Sequence, residues 1–236
     1  VITRAARAWT AAIAPGVELW CADLSGPLSS SAAAVLTPDE RNRAVRMAAR
    51  PGQRFVASRI FLRCLLSHRL GLPPARVPLR LSPHGKPYLA AVAGETWDVS
   101  LSHAGDTLAV AIARDRAVGV DIEPNRPQPA MNDIADGFFT PVERRYLRSQ
   151  PTDRQPTCFQ LIWTAKEAYA KALGLGFALP FPSFSLTPGP GPATNRYSSW
   201  ELHHPGHPTA PWSVVTAHRD QHSVITVASA PQGSTS

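Results

Sequence analysis

Two short segments of this chain carry residues whose types and spacing can do chemistry. In Gly119-Val120-Asp121-Ile122-Glu123-Pro124, two carboxylates stand at i and i+2 of a run that reads as a β-strand. Period-two geometry puts both on one face and Val120 and Ile122 on the other. Carboxylates crowded on one face repel, which raises the pKa of at least one unless a cation sits between them, and oxygen-rich sites of this type suit Mg2+. Taken alone, an Asp-x-Glu pair is more readily a solvated strand end near a turn. The second segment, Trp163-Thr164-Ala165-Lys166-Glu167-Ala168-Tyr169-Ala170-Lys171, reads as mid-helix. Its spacing of four lines Trp163, Glu167 and Lys171 along one stripe. A tryptophan on that stripe argues that the face looks into protein or ligand, so that Glu167 is a candidate third oxygen ligand and Lys171 a cation beside a metal-held anion.

The elements that must position these residues follow from local signals. Val17–Asp23 alternates as an opening strand. Thr37-Pro38-Asp39-Glu40 starts a helix as a capping box with Pro at N1, and Thr140-Pro141-Val142-Glu143 repeats the arrangement. A long helix is predicted from near Gly52 to Leu70, stopped by Gly71, and another from Thr157 to Leu173, closed by Gly174. Short strands are predicted at 77–81, 87–90, 97–101 and 108–113, then at 118–122, 183–186, 200–203, 212–217 and 223–228. The Pro188–Pro192 run reads as loop. Helices followed by antiparallel strands occur twice. The expectation is an α+β fold of two pseudo-symmetric lobes, 1–117 and 118–236, with a ligand cleft between them.

Length and composition bound the rest. The 236 residues are 44% hydrophobic and 17% charged, a globular balance, with no apolar run long enough for a membrane span. Val1–Pro15 lacks the apolar core of a secretory signal, and residues 231–236 read as a frayed tail. Three cysteines, Cys21, Cys64 and Cys158, are odd in number and far apart, which fits a reducing compartment and a cytoplasmic location. Lys plus Arg total 24 against 17 acids, a balance that suits polyanionic partners. Lysines are only three, Lys86, Lys166 and Lys171, and all fall within motifs.

Those motifs resemble the 4′-phosphopantetheinyl transferases. Gly119–Glu123 followed by Trp163–Lys171 matches the family's two signature blocks at normal separation. Gly85-Lys86-Pro87 resembles the GKP turn of the surfactin-synthetase-type, broad carrier-protein branch. Leu101-Ser102-His103 resembles its SLSH segment, Phe138–Glu143 its linker helix, and Arg54-Phe55 with Arg59 and Arg63 its Arg-rich first long helix. The likeness runs from about residue 38 to 186, with Phe55 where some relatives carry a small hydroxyl residue and Glu40 where some carry a lysine.

The resemblance implies a monomeric enzyme that uses coenzyme A and Mg2+, or Mn2+, to prime apo acyl and peptidyl carrier proteins of polyketide or nonribosomal peptide synthesis, releasing 3′,5′-ADP. It implies metal ligation by Asp121, Glu123 and Glu167, and catalysis by Glu167 as base with Lys171. It also implies coenzyme A contacts from Arg43, Arg54, Lys86, Ser102, His103 and Lys171, and no part for nucleic acid or membrane. Three rival readings carry less. A nucleic-acid module calls for basic residues interleaved with exposed aromatics, which this sequence does not show, an idle scaffold is expected to lose Asp121 or Glu167, and a narrow fatty-acid enzyme is usually about half as long.

Overall fold

A computed structural model describes residues 7–8, 14–27, 34–90, 94–190, 197–205, 211–218 and 223–232. Most of the amino-terminal arm and the tail from 233, for which a leader-free start and fraying were expected, lie outside the described residues. Two antiparallel sheets form the centre. Strands β1 (Arg7–Ala8), β2 (Val17–Asp23), β3 (Leu79–Leu81), β4 (Pro87–Leu89), β5 (Trp97–Ala104) and β6 (Thr107–Arg114) make the first, ordered β1-β2-β6-β5-β4-β3. Strands β7 (Arg116–Pro124), β8 (Ser185–Pro188), β9 (Tyr197–His203), β10 (Ser213–His218) and β11 (Ser223–Pro231) make the second, ordered β7-β11-β10-β9-β8. Among the described residues five α-helices cover them: α1 (Pro38–Val45), α2 (Ala49–Leu70), α3 (Met131–Phe138), α4 (Pro141–Ser149) and α5 (Gln155–Ala172). Among the described residues no helix is long and apolar enough to cross a membrane.

Alternation along β6 and β7 sorts the layers. Leu108, Val110 and Ile112 face α2, whereas Ala109, Ala111 and Ala113 turn to the second sheet and pack with Val118, Val120 and Ile122. Alanines on that face let the two sheets approach closely. On the far side of the second sheet, α5 carries Ala165, Ala168 and Tyr169, all fully buried, in a separate aromatic-rich core.

The two halves repeat a device. Thr37 and Thr140 each cap a helix whose N3 glutamate returns the hydrogen bond, so both capping boxes are formed. In each half a buried cation 23 residues after that glutamate bonds it: Arg63 Nε donates to Glu40 at 2.8 Å, and Lys166 Nζ donates to Glu143 at 2.8 Å. Helix α3 was not anticipated; it spans only eight residues and starts at Ala130 without a side-chain cap. Strand β8 runs into the Pro188–Pro192 segment read as loop, ending at Pro188.

Strand β7 is an edge strand of its sheet, and its open side faces β5. Side chains rather than backbone bridge the two: Val118 N–H donates to Asp98 Oδ2 at 2.8 Å and Val120 N–H to Ser100 Oγ at 3.0 Å. Next in the row, Ser102 Oγ donates to Asp121 Oδ1 at 2.7 Å. Period-two polar residues on β5 thus satisfy buried donors that an edge strand would otherwise orphan, and they fix Asp121 against the first sheet.

Candidate active site

Gly119 sets the distance between β7 and α5. A Cβ there would stand 2.0 Å from the Ala168 carbonyl oxygen and 2.3 Å from the Ala172 nitrogen, so the helix backbone rests directly on the strand. Glu167 and Lys171 each precede one of those alanines, and the close seat carries them to Asp121. Lys171 Nζ donates to Asp121 Oδ1 at 2.6 Å and to Ser102 Oγ at 3.1 Å, and it lies 3.9 Å from Glu167 Oε2. Asp121 is 3% exposed and its Oδ2 has no partner.

Glu123 shares the face of Asp121, half-buried near the Trp163 indole. Burial pushes its carboxyl up, as does Asp121, against the pull of Lys171, Arg126 and a hydrogen bond from Trp163. Glu167 is buried too, and its pKa rises to about 7: desolvation is the main cause, opposed by Lys171 and reinforced by Asp121 and Glu123. The structure therefore brings the three carboxylates into one electrostatic cluster with Lys171. As they stand, no three His, Cys, Asp or Glu side chains among the described residues are arranged to hold a metal ion.

The raised Glu167 carboxyl makes a prediction for the metal-free protein. Its folded pKa exceeds the unfolded value, so the stability tied to its proton is fully present below about pH 4.5 and is lost as pH rises through about 7. In chelator, Glu167→Gln is expected to exceed the wild type in stability at pH 8 by up to about 3 kcal/mol, the gap closing by pH 5. Urea titrations of both proteins at the two pH values check this, and a pH-independent gap would contradict it.

The remaining predicted contacts flank this cluster. Ser58 and His103 Nε2 are hydrogen-bonded at 2.7 Å, and partial burial, Lys171, Arg54 and Arg59 hold the imidazole below its ordinary pKa. Arg43 lies with its guanidinium 5.1 Å from the Phe55 ring centre. Two cations are engaged elsewhere. Arg54 pairs with Asp106 at 2.9 Å. Lys86 Nζ donates to Asp98 at 2.5 Å and to the Ala172 carbonyl at 3.0 Å, which ties the Gly85–Pro87 turn to the end of α5. Gly85, at φ 81, makes that turn. A cavity of about 250 Å3 opens between the turn and the helix end, lined by Glu167, Lys171, Leu101 and Phe177.

Sequence reasoning assigned no site role to Asp98, Ser100, Ser58 or Arg59. The signal for the first two was the polar alternation of Asp98-Val99-Ser100-Leu101-Ser102 in a strand. Trp163 does look into protein, where it stacks with Phe159, meets Phe138 edge-on and lies tilted against Phe181.

Comparison with known proteins supplies the lineage. The 4′-phosphopantetheinyl transferase superfamily profile matches residues 117–228, and the 4′-phosphopantetheinyl transferase N-terminal profile matches residues 27–115. The 4′-phosphopantetheinyl transferase HetI of Nostoc sp. is 35% identical over 191 residues, 79% of this chain and 81% of that protein. A 4′-phosphopantetheinyl transferase of Bacillus subtilis is 32% identical over 127 residues, 54% of each chain. The human L-aminoadipate-semialdehyde dehydrogenase-phosphopantetheinyl transferase is 29% identical over 82% of this chain and 66% of its own length. A solved holo-(acyl-carrier-protein) synthase from Bacillus anthracis, in complex with CoA (3′,5′-ADP), overlaps 48% of this chain and 94% of its own at 19% identity and a TM-score of 0.38. The chain belongs to the 4′-phosphopantetheinyl transferase family.

Proposed function

We propose that this chain transfers the 4′-phosphopantetheine group of coenzyme A to a serine of apo acyl and peptidyl carrier proteins of polyketide or nonribosomal peptide synthesis, releasing 3′,5′-ADP, as a cytoplasmic monomer. The reading rests above all on Asp121, a buried carboxylate with one oxygen bonded by Lys171 and Ser102 and the other left without a partner. Asp121, Glu123 and Glu167 set three carboxylates against one ammonium, an excess that repels a diphosphate unless a cation enters. An all-oxygen donor set with an orphaned buried oxygen fits a hard divalent ion, Mg2+ or Mn2+. Bound there by those three residues, it would neutralise diphosphate oxygens as a Lewis acid.

The chain's own side chains supply the rest. Glu167, a buried carboxylate beside Lys171 in the cluster, is the group that would accept the serine proton. Lys171 offers its ammonium to the charge that builds on the phosphate oxygens. Ser102 holds Asp121 in place, and His103 takes the 3′-phosphate together with Arg43, both on the first half. Arg54 and Lys86, each paired to a carboxylate, shape the nucleotide side and add positive potential. On this reading residues 1–117 carry the nucleotide contacts and 118–236 the metal and the catalytic helix. Incubation with coenzyme A, Mg2+ and a panel of apo carrier domains, followed by intact-mass measurement, tests it. The expected result is phosphopantetheine on the carrier serine, lost in chelator, and failure to modify any carrier would overturn the proposal.

A further inference from the structure

One ion pair grips both sides of the contact on which the site is built. Asp98, near the start of β5, is buried. Its Oδ2 accepts from two groups, Lys86 Nζ at 2.5 Å and the Val118 N–H at 2.8 Å, and its Oδ1 accepts the Val99 N–H at 2.9 Å. Lys86 Nζ also donates to the Ala172 carbonyl at 3.0 Å. Val118 adjoins Gly119 on β7, and Ala172 is the α5 residue whose nitrogen a Cβ at Gly119 would meet at 2.3 Å. The pair thus holds the strand through Asp98 and the helix through Lys86, where their backbones touch. Lys86 is itself fixed. Its turn closes through the Ser82 N–H to the Lys86 carbonyl at 2.8 Å and through the Lys86 N–H to Ser82 Oγ at 3.1 Å. Its stem lies against the helix exit, where a Cβ on Gly174 (φ 74) would come 3.4 Å from Lys86 Cδ. An ammonium has three protons to donate, and two are committed here. Its charge faces the C-terminal carbonyls of α5, where a cation is favoured. Ala172 follows Lys171, and Lys86, Lys171 and Glu167 line one cavity.

We infer that Asp98 and Lys86 are positioning residues that act as one latch. They set the last turn of α5 against β7 and so hold Lys171 and Glu167 opposite Asp121 for the transfer step, with Lys86 acting through the helix end and not by gripping the nucleotide. The inference rests on the coenzyme A reading above for the reaction that the latch serves.

Three measurements on the full chain test this: steady-state kinetics with coenzyme A, Mg2+ and an apo carrier protein, calorimetric titration with 3′,5′-ADP, and amide hydrogen exchange without substrates. Lys86→Met and Asp98→Asn are each expected to lower kcat roughly 10- to 100-fold, the scale of a small misplacement of a reacting group. KM for coenzyme A and the affinity for 3′,5′-ADP should stay within about threefold of wild type. The double variant should fall no further than the worse single one, because the two residues act as a unit. Lys86→Arg, which still reaches both the carboxylate and the carbonyl, should regain most of kcat. Exchange at the Gly174 and Leu175 amides, which donate to the Lys171 and Ala170 carbonyls at 3.1 Å, should quicken in both single variants. A thermal melt accompanies each variant, and Lys86→Met with Lys86→Arg decides the matter if Asp98→Asn does not fold. Weakened 3′,5′-ADP binding in Lys86→Met alone, additive losses in the double variant, or unaltered exchange at the helix end overturns the latch and leaves the coenzyme reading standing. A wild type that modifies no carrier overturns the coenzyme reading, and exchange at the helix end then decides the latch by itself.

Discussion

Asp121→Asn is expected to lower kcat by roughly 1,000-fold, about 4 kcal/mol of transition-state stabilisation, while the thermal midpoint shifts by only a few degrees. The amide is nearly isosteric and its oxygen still accepts from Ser102, so the bridge from β5 to β7 survives. What disappears is the negative charge that Lys171 meets at 2.6 Å and the free anionic oxygen beside it. Lys171 keeps Glu167 within 3.9 Å and is partly exposed, so it relaxes at little cost to the fold. The loss therefore falls on the charge that gathers a divalent ion and a diphosphate. Removing Asp121 is not expected to relieve the protein, as two bare like charges would suggest, because Lys171 already compensates it. Steady-state kinetics with coenzyme A and a carrier protein, with a melt alongside, measure both halves. A kcat within tenfold of wild type would remove Asp121 from the reaction.

The parts of the site legible in the sequence are those set by local period and chemistry. Asp121 and Glu123 share a face because a strand has period two, and Glu167 and Lys171 share a stripe because a helix nearly repeats at four. The capping boxes at Thr37 and Thr140 announce their helices for the same reason. What was not legible depends on partners far along the chain. Arg54 finds Asp106 across 52 residues, and Lys86 finds the Ala172 carbonyl across 86. No local pattern separates a cation that waits for phosphate from one already spent on a carboxylate. Gly119 reads as an ordinary strand glycine until α5 is seen lying on it. The polar row Asp98, Ser100 and Ser102 is buried, because it serves the edge of β7.

Lys166 shows the same limit within one motif. It lies five residues before Lys171, so the helix turns the two to different sides. Lys171 enters the cleft, whereas Lys166 is sealed, with 0% side-chain exposure for it and for Glu143. Its ammonium donates to Glu143 at 2.8 and 2.9 Å and to the Phe184 carbonyl at 2.7 Å. Glu143 also accepts the Leu186 N–H at 2.8 Å and the Thr140 N–H at 2.7 Å, so this one carboxylate joins α4, α5 and β8.

Lys166→Met is accordingly expected to destabilise the protein by about 3–5 kcal/mol, the cost of leaving a buried charge without its partner. Glu143→Gln should cost a similar amount at pH 7 and less at high pH. Burial already pulls Lys166 down to about 8 against the upward pull of Glu143, and without that carboxylate it falls further. The folded variant then carries a neutral amine while the unfolded chain still binds a proton up to about pH 10.4. Stability tied to this group therefore rises with pH across that window, so the deficit of Glu143→Gln against wild type should shrink between pH 7 and pH 9.5. Chemical denaturation of both variants at the two pH values measures this. A Lys166→Met protein within 1 kcal/mol of wild type would mean that the three elements are held by packing alone.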